Sequence, residues 1–403
     1  MAMANGLPGR LLQRREDPRR TSFLELFFDL AIIFALTRLS RALLDDLTLH
    51  GAFQVLLLLA AIWWVWFVTA WSADWFDPRT PLIVVLLLWV MFGGLLMAAA
   101  APTAFGAQAM VFAVAYVSIH LGRAFLLIPA LRGHPLQLRT ARVAIWFAAS
   151  GVLWVVGAVV APAREALWVL ALILDYGLAR LGWPTPRLGR SSWPDLQVNG
   201  EHLSERYQQI FIIALGELIL MSGIAYGESG FDRGRSVAFA AAFLTAVALA
   251  RLYLMPAGGH LGAAIEAAGP PGSRLALVAG YLHLVMIAGV LATSVGLELA
   301  IVDPGSSDPA RLTVTVGGPV LFLLGRLLLS AVIDGSVSRP RLVGVALIVL
   351  GGFASTQLRL LGAAAVTTVL LLLMIAAELL LDRSQRRRAA RADGTTERRR
   401  TDV

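Results

Sequence analysis

The chain contains no cysteine and no lysine, and few charged residues of any kind. The lack of cysteine excludes disulfides, thiolate metal sites, cysteine nucleophiles and iron–sulfur clusters. Charged residues make up 15% of the 403 residues, against about 25% in soluble domains. Hydrophobic residues make up 58%, which leaves too little polar material to cover the surface of a soluble protein. These shortages indicate a membrane protein.

The apolar residues occur in long blocks, and blocks of about 18 residues or more are long enough to cross a bilayer as helices. Twelve candidate helices lie near 23–44, 51–72, 81–101, 107–130, 141–161, 165–181, 205–226, 236–256, 274–299, 311–333, 341–356 and 360–381. The sixth and eleventh are short. The predicted fold class is all-α, a polytopic integral membrane helical bundle of about twelve transmembrane helices.

The positions of the arginines predict the topology. They are concentrated in the N-terminal segment 1–22, in the fourth, sixth and tenth connections, and in the tail 382–403. Twelve alternating spans place all of these on one side, which the positive-inside rule makes the cytoplasm. The arginine-rich tail could bind nucleic acid, but a tail that contacts anionic lipid headgroups is the simpler interpretation. We expect the lipid bilayer as a partner and no nucleic acid, and the sequence leaves a homo-oligomer open.

Weak internal similarity predicts two six-helix halves, 23–181 and 205–381, joined by a cytoplasmic linker at 182–204. Leu-Gly-Arg ends at Arg123 in the fourth candidate helix and at Arg326 in the tenth, and three other short matches follow the same order. Because six is an even number, the halves would share one orientation, as in transporters with parallel repeats.

Ionisable residues within the spans are the positions that point to chemistry, because each costs about 2.5–3.5 kcal/mol on insertion scales. Glu25 and Asp29 are four residues apart and share one face of the first helix. Two carboxylates on an apolar helix need a cation, which an arginine of the bundle could supply. Arg206 and Glu217 are spaced by nearly three full turns of the seventh helix and point the same way.

Several further charged or titratable groups need partners in the same way. Arg123 and Arg326 lie near the middle of their spans and do not readily lose their proton. His283 lies in the ninth span, and histidines that titrate near neutrality can serve a proton relay. The competing interpretation is that these groups only fix helix packing through carboxylate–arginine pairs. No histidine pair has the spacing of a zinc motif, so no metal and no cofactor are expected.

Five tryptophans are concentrated towards the end of the second candidate helix: Trp63, Trp64, Trp66, Trp71 and Trp75. Tryptophan is enriched where a membrane meets water. The cluster is therefore interpreted as an interfacial belt rather than as a ligand cage.

Several motifs resemble the bacterial low temperature requirement A family. They are Leu24-Glu-Leu-Phe-Phe-Asp-Leu30, His202-Leu-Ser-Glu-Arg-Tyr207 leading to Ile213-Ala-Leu-Gly-Glu217, and Trp63-Trp-Val-Trp66 followed by Asp77. The segment Phe112–Tyr116 leading to Arg123, and Tyr281-Leu-His283 ahead of Gly289, resemble it too. The resemblance covers roughly 22–385 and implies a multi-pass protein of the bacterial inner membrane. It implies no substrate or mechanism.

The function expected from these residues is that of a secondary transporter coupled to protons or cations, and not that of an enzyme. An unknown small solute or ion would bind at an intramembrane site of carboxylates, arginines and histidines: Glu25, Asp29, Arg123, His202, Glu205, Arg206, Glu217, His283 and Arg326. One alternative is a structural or sensory membrane protein of stress adaptation. A second alternative, an intramembrane enzyme acting on lipid, would need a nucleophile or a metal that the sequence does not offer.

Overall fold

The computed structural model describes residues 11–12, 21–192, 198–254, 257–269, 271–335, 339–354 and 359–401, and its described part is built from thirteen α-helices. The helices are α1 Phe23–Asp45, α2 Leu49–Trp75, α3 Pro81–Ala100, α4 Ala109–Ala130, α5 Pro135–Val159, α6 Arg164–Leu181, α7 Gly200–Ser229, α8 Arg233–Leu254, α9 Ala257–Ala267, α10 Gly272–Val302, α11 Pro309–Asp334, α12 Arg339–Ala354 and α13 Leu360–Thr401. Most of the N-terminal segment 1–22 lies outside the described residues.

Each of the twelve candidate helices corresponds to a helix, and the short α9 is an addition that the sequence did not predict. Within the described ranges, nine helices are long and apolar enough to cross a membrane, judged by length and composition. Three of the twelve predicted spans do not meet this criterion. The helices α1 and α6 carry several charges each, and α12 has only 16 residues. The all-α polytopic fold is therefore confirmed, while the count of twelve spans stays a prediction.

The surface of the bundle is apolar and its interior holds the charges, the reverse of a soluble protein. Phe92 is 58% exposed and Ile173 is 61% exposed, whereas Asp29 and Arg326 have no exposed surface at all. Apolar side chains that face outward are at no disadvantage in lipid, and charged side chains avoid lipid by facing the bundle interior. This distribution supports a bundle that is surrounded by hydrocarbon.

Two helix caps position the residues that lie at the start of α1 and α7. The Ser22 hydroxyl accepts a hydrogen bond from Glu25 N, and the Glu25 carboxylate accepts one from Ser22 N, which makes a capping box. The N-cap of α7 is Asn199, whose side chain accepts from His202 N. α7 therefore begins at Gly200, within the stretch that was predicted to be linker.

α1 and α7 pack side by side and run in the same direction. Contacts between them recur at a constant separation of 177 residues, first between Glu25 and His202 and then between Asp29 and Arg206. A constant offset with increasing residue number is possible only for parallel helices. This is the orientation expected of corresponding helices in two parallel halves, but the internal repeat itself stays a prediction.

The tryptophans of α2 are not an interfacial belt, and that interpretation was wrong. Trp63, Trp64 and Trp66 are 2%, 1% and 0% exposed. Their rings pack against Phe67, Tyr176 and Tyr207 in the interior. Sequence clustering could not distinguish a belt from a core because both place aromatic residues near the end of a span.

Candidate functional site

A buried ion pair joins α1 to α7. Arg206 donates from Nη2 to Asp29 Oδ1 at 2.7 Å and from Nη1 to Asp29 Oδ2 at 2.8 Å. The Trp66 indole of α2 donates to the same Oδ1 at 2.9 Å. Two parallel hydrogen bonds make this the strongest arrangement available to an arginine and a carboxylate. Arg206 thus supplies the cation that the acidic face of α1 was expected to need.

Next to this pair, the imidazole of His202 lies between two carboxylates. Its Nε2 is 3.2 Å from Glu25 Oε2, and its Nδ1 is 3.3 Å from Asp74 Oδ1, although the second contact lacks hydrogen-bond geometry. All three side chains are at least 96% buried. Carboxylates only accept hydrogen bonds when ionised, so Nε2 carries the proton of the contact with Glu25.

The two cap residues of the helices hold these carboxylates in place. Glu25 Oε1 accepts from the Ser22 hydroxyl at 2.9 Å, which leaves Oε2 for His202. Asp74 Oδ2 accepts from the backbone N of Asn199 at 2.8 Å. The local signals that start α1 and α7 therefore also orient the acids of the cluster.

We call Glu25, Asp29, Asp74, His202 and Arg206 the acidic cluster. Three carboxylates there face one guanidinium and one imidazole, and Arg206 Nε is also 3.6 Å from Glu25 Oε2. With all carboxylates ionised, the cluster keeps a net negative charge even when the imidazole is protonated.

Glu205 lies at the edge of the acidic cluster rather than inside it. Its Oε1 accepts from Gln209 Nε2 at 3.3 Å, and Gln209 Oε1 accepts from Arg206 at 3.2 Å. The residue is only partly buried. Its connection to the cluster is indirect.

Glu217 lies apart from the acidic cluster, about 16 Å further along α7 than Arg206 at the helical rise of about 1.5 Å per residue. It is 1% exposed, and the hydroxyls of Ser40 in α1 and Ser294 in α10 face its carboxylate. Among the described residues no basic side chain pairs with this carboxylate, and the two hydroxyls face it without a well-formed hydrogen bond. We call Ser40, Glu217 and Ser294 the unpaired oxygen site.

An ion pair lies close to this site. Arg41 Nη1 donates to Glu298 Oε1 at 2.7 Å, with Arg41 38% and Glu298 5% exposed in their side chains. Arg41, the positive charge nearest to Glu217, is thus already bound to another carboxylate.

Three of the expected site residues lie elsewhere in the bundle. Arg123 of α4 donates from Nη2 to Thr69 Oγ1 at 2.7 Å and borders an aromatic cavity. His283 of α10 has both nitrogens in contact, Nδ1 with the Ala279 carbonyl at 2.7 Å and Nε2 with the Tyr253 hydroxyl at 2.9 Å. Since a carbonyl only accepts, Nδ1 donates and Nε2 is free to accept, which suits a neutral, structural ring.

Arg326 of α11 is fully buried without touching the acidic cluster. Its Nε donates to the Leu252 carbonyl at 3.2 Å and its Nη1 donates to Ser330 Oγ at 2.7 Å. Ser330 also accepts from Arg341, which pairs with Glu378 at 2.6 Å. In the part of the chain that the structure describes, no group of three or more metal-ligating side chains could hold a metal ion.

The comparisons with known proteins agree with the family resemblance of the sequence. The model of the bacterial low temperature requirement A protein family matches residues 20–376. The chain belongs to this family. It is also 32% identical over 351 residues to an uncharacterized protein of Rhizobium meliloti (strain 1021), with 86% of each chain covered. No solved structure matches the chain. Family membership and the apolar helices together make it a membrane protein of many helices.

The segments that resemble the low temperature requirement A family meet in three dimensions. The first motif provides Glu25 and Asp29, the second provides His202 and Arg206, and the tryptophan motif provides Trp66. The fifth member, Asp74, was missed because the second helix was predicted to end at 72. An acidic residue that directly follows an apolar block was the signal that could have found it.

Proposed function

We propose that this member of the family is a secondary transporter coupled to protons or cations, with α1, α7 and α10 carrying the coupling ion. The observation that carries the proposal is the unpaired oxygen site. The Glu217 carboxylate is buried without a basic partner among the described residues, and the hydroxyls of Ser40 and Ser294 face it. A carboxylate and two hydroxyls are ligands for a hard cation, and a protonated carboxyl could donate to a hydroxyl.

Helix packing alone does not explain this site. A buried polar group without a partner costs about 1–3 kcal/mol, so a residue kept only for packing would be satisfied. Asp29 and Arg206 come closer to that expectation, because both oxygens of Asp29 accept from the two Nη atoms of Arg206, although Arg206 Nε has no hydrogen-bond partner among the described residues. Glu217 has no basic partner among the described residues and is faced only by two hydroxyls, and for a buried carboxylate of this kind a functional role is the simpler account.

The acidic cluster provides a second position on the same pair of helices. Ser40 and Glu217 have the same 177-residue separation as Glu25 and His202, so both positions lie along one line between α1 and α7. They differ in depth by about 22 Å at the helical rise. Two charged positions at different depths are what stepwise ion movement across a bilayer needs, and a histidine between two acids suits proton exchange.

The two alternatives predict different behaviour. A structural or sensory protein would use the charges only to hold helices together and would move no ion. An enzyme that acts on lipid would need a nucleophile or a metal, and neither is provided by the acidic cluster. We therefore favour transport of a small solute or ion, without a cofactor and without enzymatic turnover.

Ion flux into proteoliposomes of the purified protein tests the proposal. Proton and Na⁺ movement is measured over a range of pH for the natural protein, for Glu217→Gln and for the matched control Glu201→Gln. Glu201 is an exposed carboxylate on the same helix. We expect flux that falls at least tenfold in Glu217→Gln and is unchanged in Glu201→Gln. Folded protein without flux, or equal flux in Glu217→Gln, contradicts the proposal.

We further propose that the protein lies in the bacterial inner membrane with both termini in the cytoplasm, as the arginine distribution predicts. The absence of cysteine makes this testable with single introduced thiols. Ser192→Cys lies in the arginine-rich connection before α7, and Ser307→Cys lies between α10 and α11. An impermeant maleimide added to intact cells should label Ser307→Cys alone. Labelling of Ser192→Cys alone would invert the topology.

A further inference from the structure

A cavity of about 110 Å³ lies between α2, α4 and α5. It shares α2 with the acidic cluster: Asp74 of that helix belongs to the cluster and Trp66 contacts it, while other aromatic residues of the helix face the cavity. The aromatic walls are Trp64, Phe67, Trp71, Trp75, Phe147 and Trp183. Walls of this kind bind flat apolar groups by stacking and edge contacts.

Two buried polar side chains border the cavity without being satisfied. Arg123 is 7% exposed, and its Nη2 donates to Thr69 while its Nη1 has no hydrogen-bond partner among the described residues. His120 is 3% exposed, and both of its ring nitrogens lack a partner in the same part of the chain. Its ring stacks on Phe147 with the centroids 3.8 Å apart. The unused donors indicate that a ligand completes the site.

The charge of the cavity specifies the sign of that ligand. The described lining includes the guanidinium groups of Arg123 and Arg139 and contains no aspartate or glutamate. Arg139 lies over the Trp75 ring, 3.7 Å from its centroid. Arg123 alone determines this sign: its guanidinium is buried without a carboxylate among the described residues, which is unfavourable, and a carboxylate can accept two parallel hydrogen bonds from it.

The geometry points to a small organic anion as the ligand: a carboxylate attached to an apolar body about the size of one ring. The carboxylate would bind Arg123, and the ring would lie between the aromatic walls. A closed apolar cavity of roughly 150 Å³ holds benzene; the cavity here is smaller, at about 110 Å³, but it is partly open, so a single ring is the largest body expected to enter it. The inference does not depend on transport, because the site can bind at equilibrium whether or not the ligand crosses the membrane.

Calorimetric titration of benzoate into the protein in phosphatidylcholine nanodiscs tests the site. Benzamide has the same ring without the charge and should bind at least tenfold more weakly to the natural protein. Arg123→Gln should weaken benzoate binding at least tenfold, and the control Arg311→Gln should leave it unchanged, because Arg311 lies remote from the cavity and pairs with Asp303. Ala144→Phe, which fills the cavity without removing a charge, should abolish binding.

Each outcome decides the question. Absence of saturable benzoate binding, equal affinity for benzamide, or benzoate binding that survives Ala144→Phe would overturn the inference. Binding of decanoate without benzoate would replace the ring-sized ligand with an acyl chain and overturn it too. If Arg123→Gln does not fold, the comparison with benzamide and the Ala144→Phe variant still test whether the cavity binds a ring-sized anion. Glu217→Gln should keep benzoate binding, so loss of ion flux and loss of this site are distinguishable.

Discussion

Arg206 and Asp29 form a bidentate ion pair between α1 and α7, with hydrogen bonds of 2.7 and 2.8 Å and no more than 1% of either side chain exposed. The two helices are brought together from positions 177 residues apart in the chain. Such a pair contributes specificity to helix packing, since neither charge can be left alone in a membrane interior.

Replacing one residue of this pair should lower the free energy of unfolding more than replacing both. Asp29→Asn leaves a buried guanidinium without its carboxylate, and loss of one partner of a buried pair costs about 3–5 kcal/mol. We expect Asp29→Asn and Arg206→Gln each to lower the free energy of unfolding, measured by SDS titration in mixed micelles. The double variant should be more stable than either single variant. Simple addition of the two losses would show that the residues are not coupled.

The exposed pair Asp303–Arg311 is the control for this experiment. Its side chains are 52% and 34% exposed and its atoms are 3.1 Å apart. Exposed ion pairs contribute about 0–1 kcal/mol. Asp303→Asn should therefore change the free energy of unfolding by less than about 1 kcal/mol.

Glu25→Gln should be milder than Asp29→Asn, although both remove a buried acid of the same cluster. Glu25→Gln leaves both hydrogen bonds of Arg206 to Asp29 and leaves Asp74 beside His202, whereas Asp29→Asn leaves Arg206 a single carboxylate contact, at 3.6 Å to Glu25. The expected loss is about 1.5–3 kcal/mol, typical of a hydrogen bond to a charged group. Unfolding titrations of the two variants side by side measure the ranking, and the reverse order would contradict the assigned contacts.

The contribution of the Ser22 cap to the free energy of unfolding can be separated from that of the Glu25 charge in the same titration. Ser22→Ala removes the hydroxyl that Glu25 accepts from but leaves all charges in place. Loss of an N-cap costs about 1 kcal/mol. A loss in Ser22→Ala as large as that in Glu25→Gln would mean that Glu25 acts only as a capping residue.

The interface between α10 and α11 should not accept a methyl group. A Cβ added at Gly289 would lie 2.4 Å from Phe322 N and 2.9 Å from Gly318 O, and these backbone atoms cannot move aside cheaply. We expect Gly289→Ala to lower the free energy of unfolding by about 1–3 kcal/mol, as overpacking does. Close helix contacts of this kind are typical of small residues in membrane proteins.

Gly223→Ala is the matched control, because an added Cβ there meets nothing within 4 Å. Alanine in a helix interior is favoured over glycine by about 0.5–1 kcal/mol. The control should therefore be neutral or slightly stabilising in the same titration. Equal effects at the two glycines would show that α10 and α11 do not pack closely at Gly289.

The helices could be predicted from sequence because a membrane span has a strong signal of its own. Long apolar blocks correspond to helices throughout, with ends that differ by up to six residues except in α13, which continues from the predicted end at 381 to Thr401, through the predicted tail. The short α9 was missed because its sequence, rich in glycine and alanine, is too short to register as a span. The N-terminus of α7 was placed late because Asn199, which starts the helix, stands before a polar first turn.

The contacts within the bundle were harder to predict. Spacing showed that Glu25 and Asp29 share a face, but the partner that satisfies them depends on which helices are neighbours. The nine expected site residues were therefore treated as one site, whereas the structure divides them between the acidic cluster, Glu217, the aromatic cavity and two structural positions. Ser40 and Ser294 were missed because a serine in a span carries no distinctive sequence signal.

A charge reversal at Arg341 and Glu378 should separate structural charges from functional ones. Arg341 Nε lies 2.6 Å from Glu378 Oε1, and the two side chains are 6% and 9% exposed. Arg341→Glu places two acids together, and Glu378→Arg places a third arginine near Arg326 and Arg341. Each single change should lower the free energy of unfolding by at least about 3 kcal/mol.

The double reversal should recover most of that loss, because an acid–arginine pair is formed again across α12 and α13. A double variant no more stable than the worse single variant would contradict a packing role for the pair. Glu217 offers no equivalent rescue, since Arg41, its nearest positive charge, is bound to Glu298. Recovery at Arg341–Glu378, together with flux that depends on Glu217, would therefore assign packing to the paired charges and ion binding to the unpaired oxygen site.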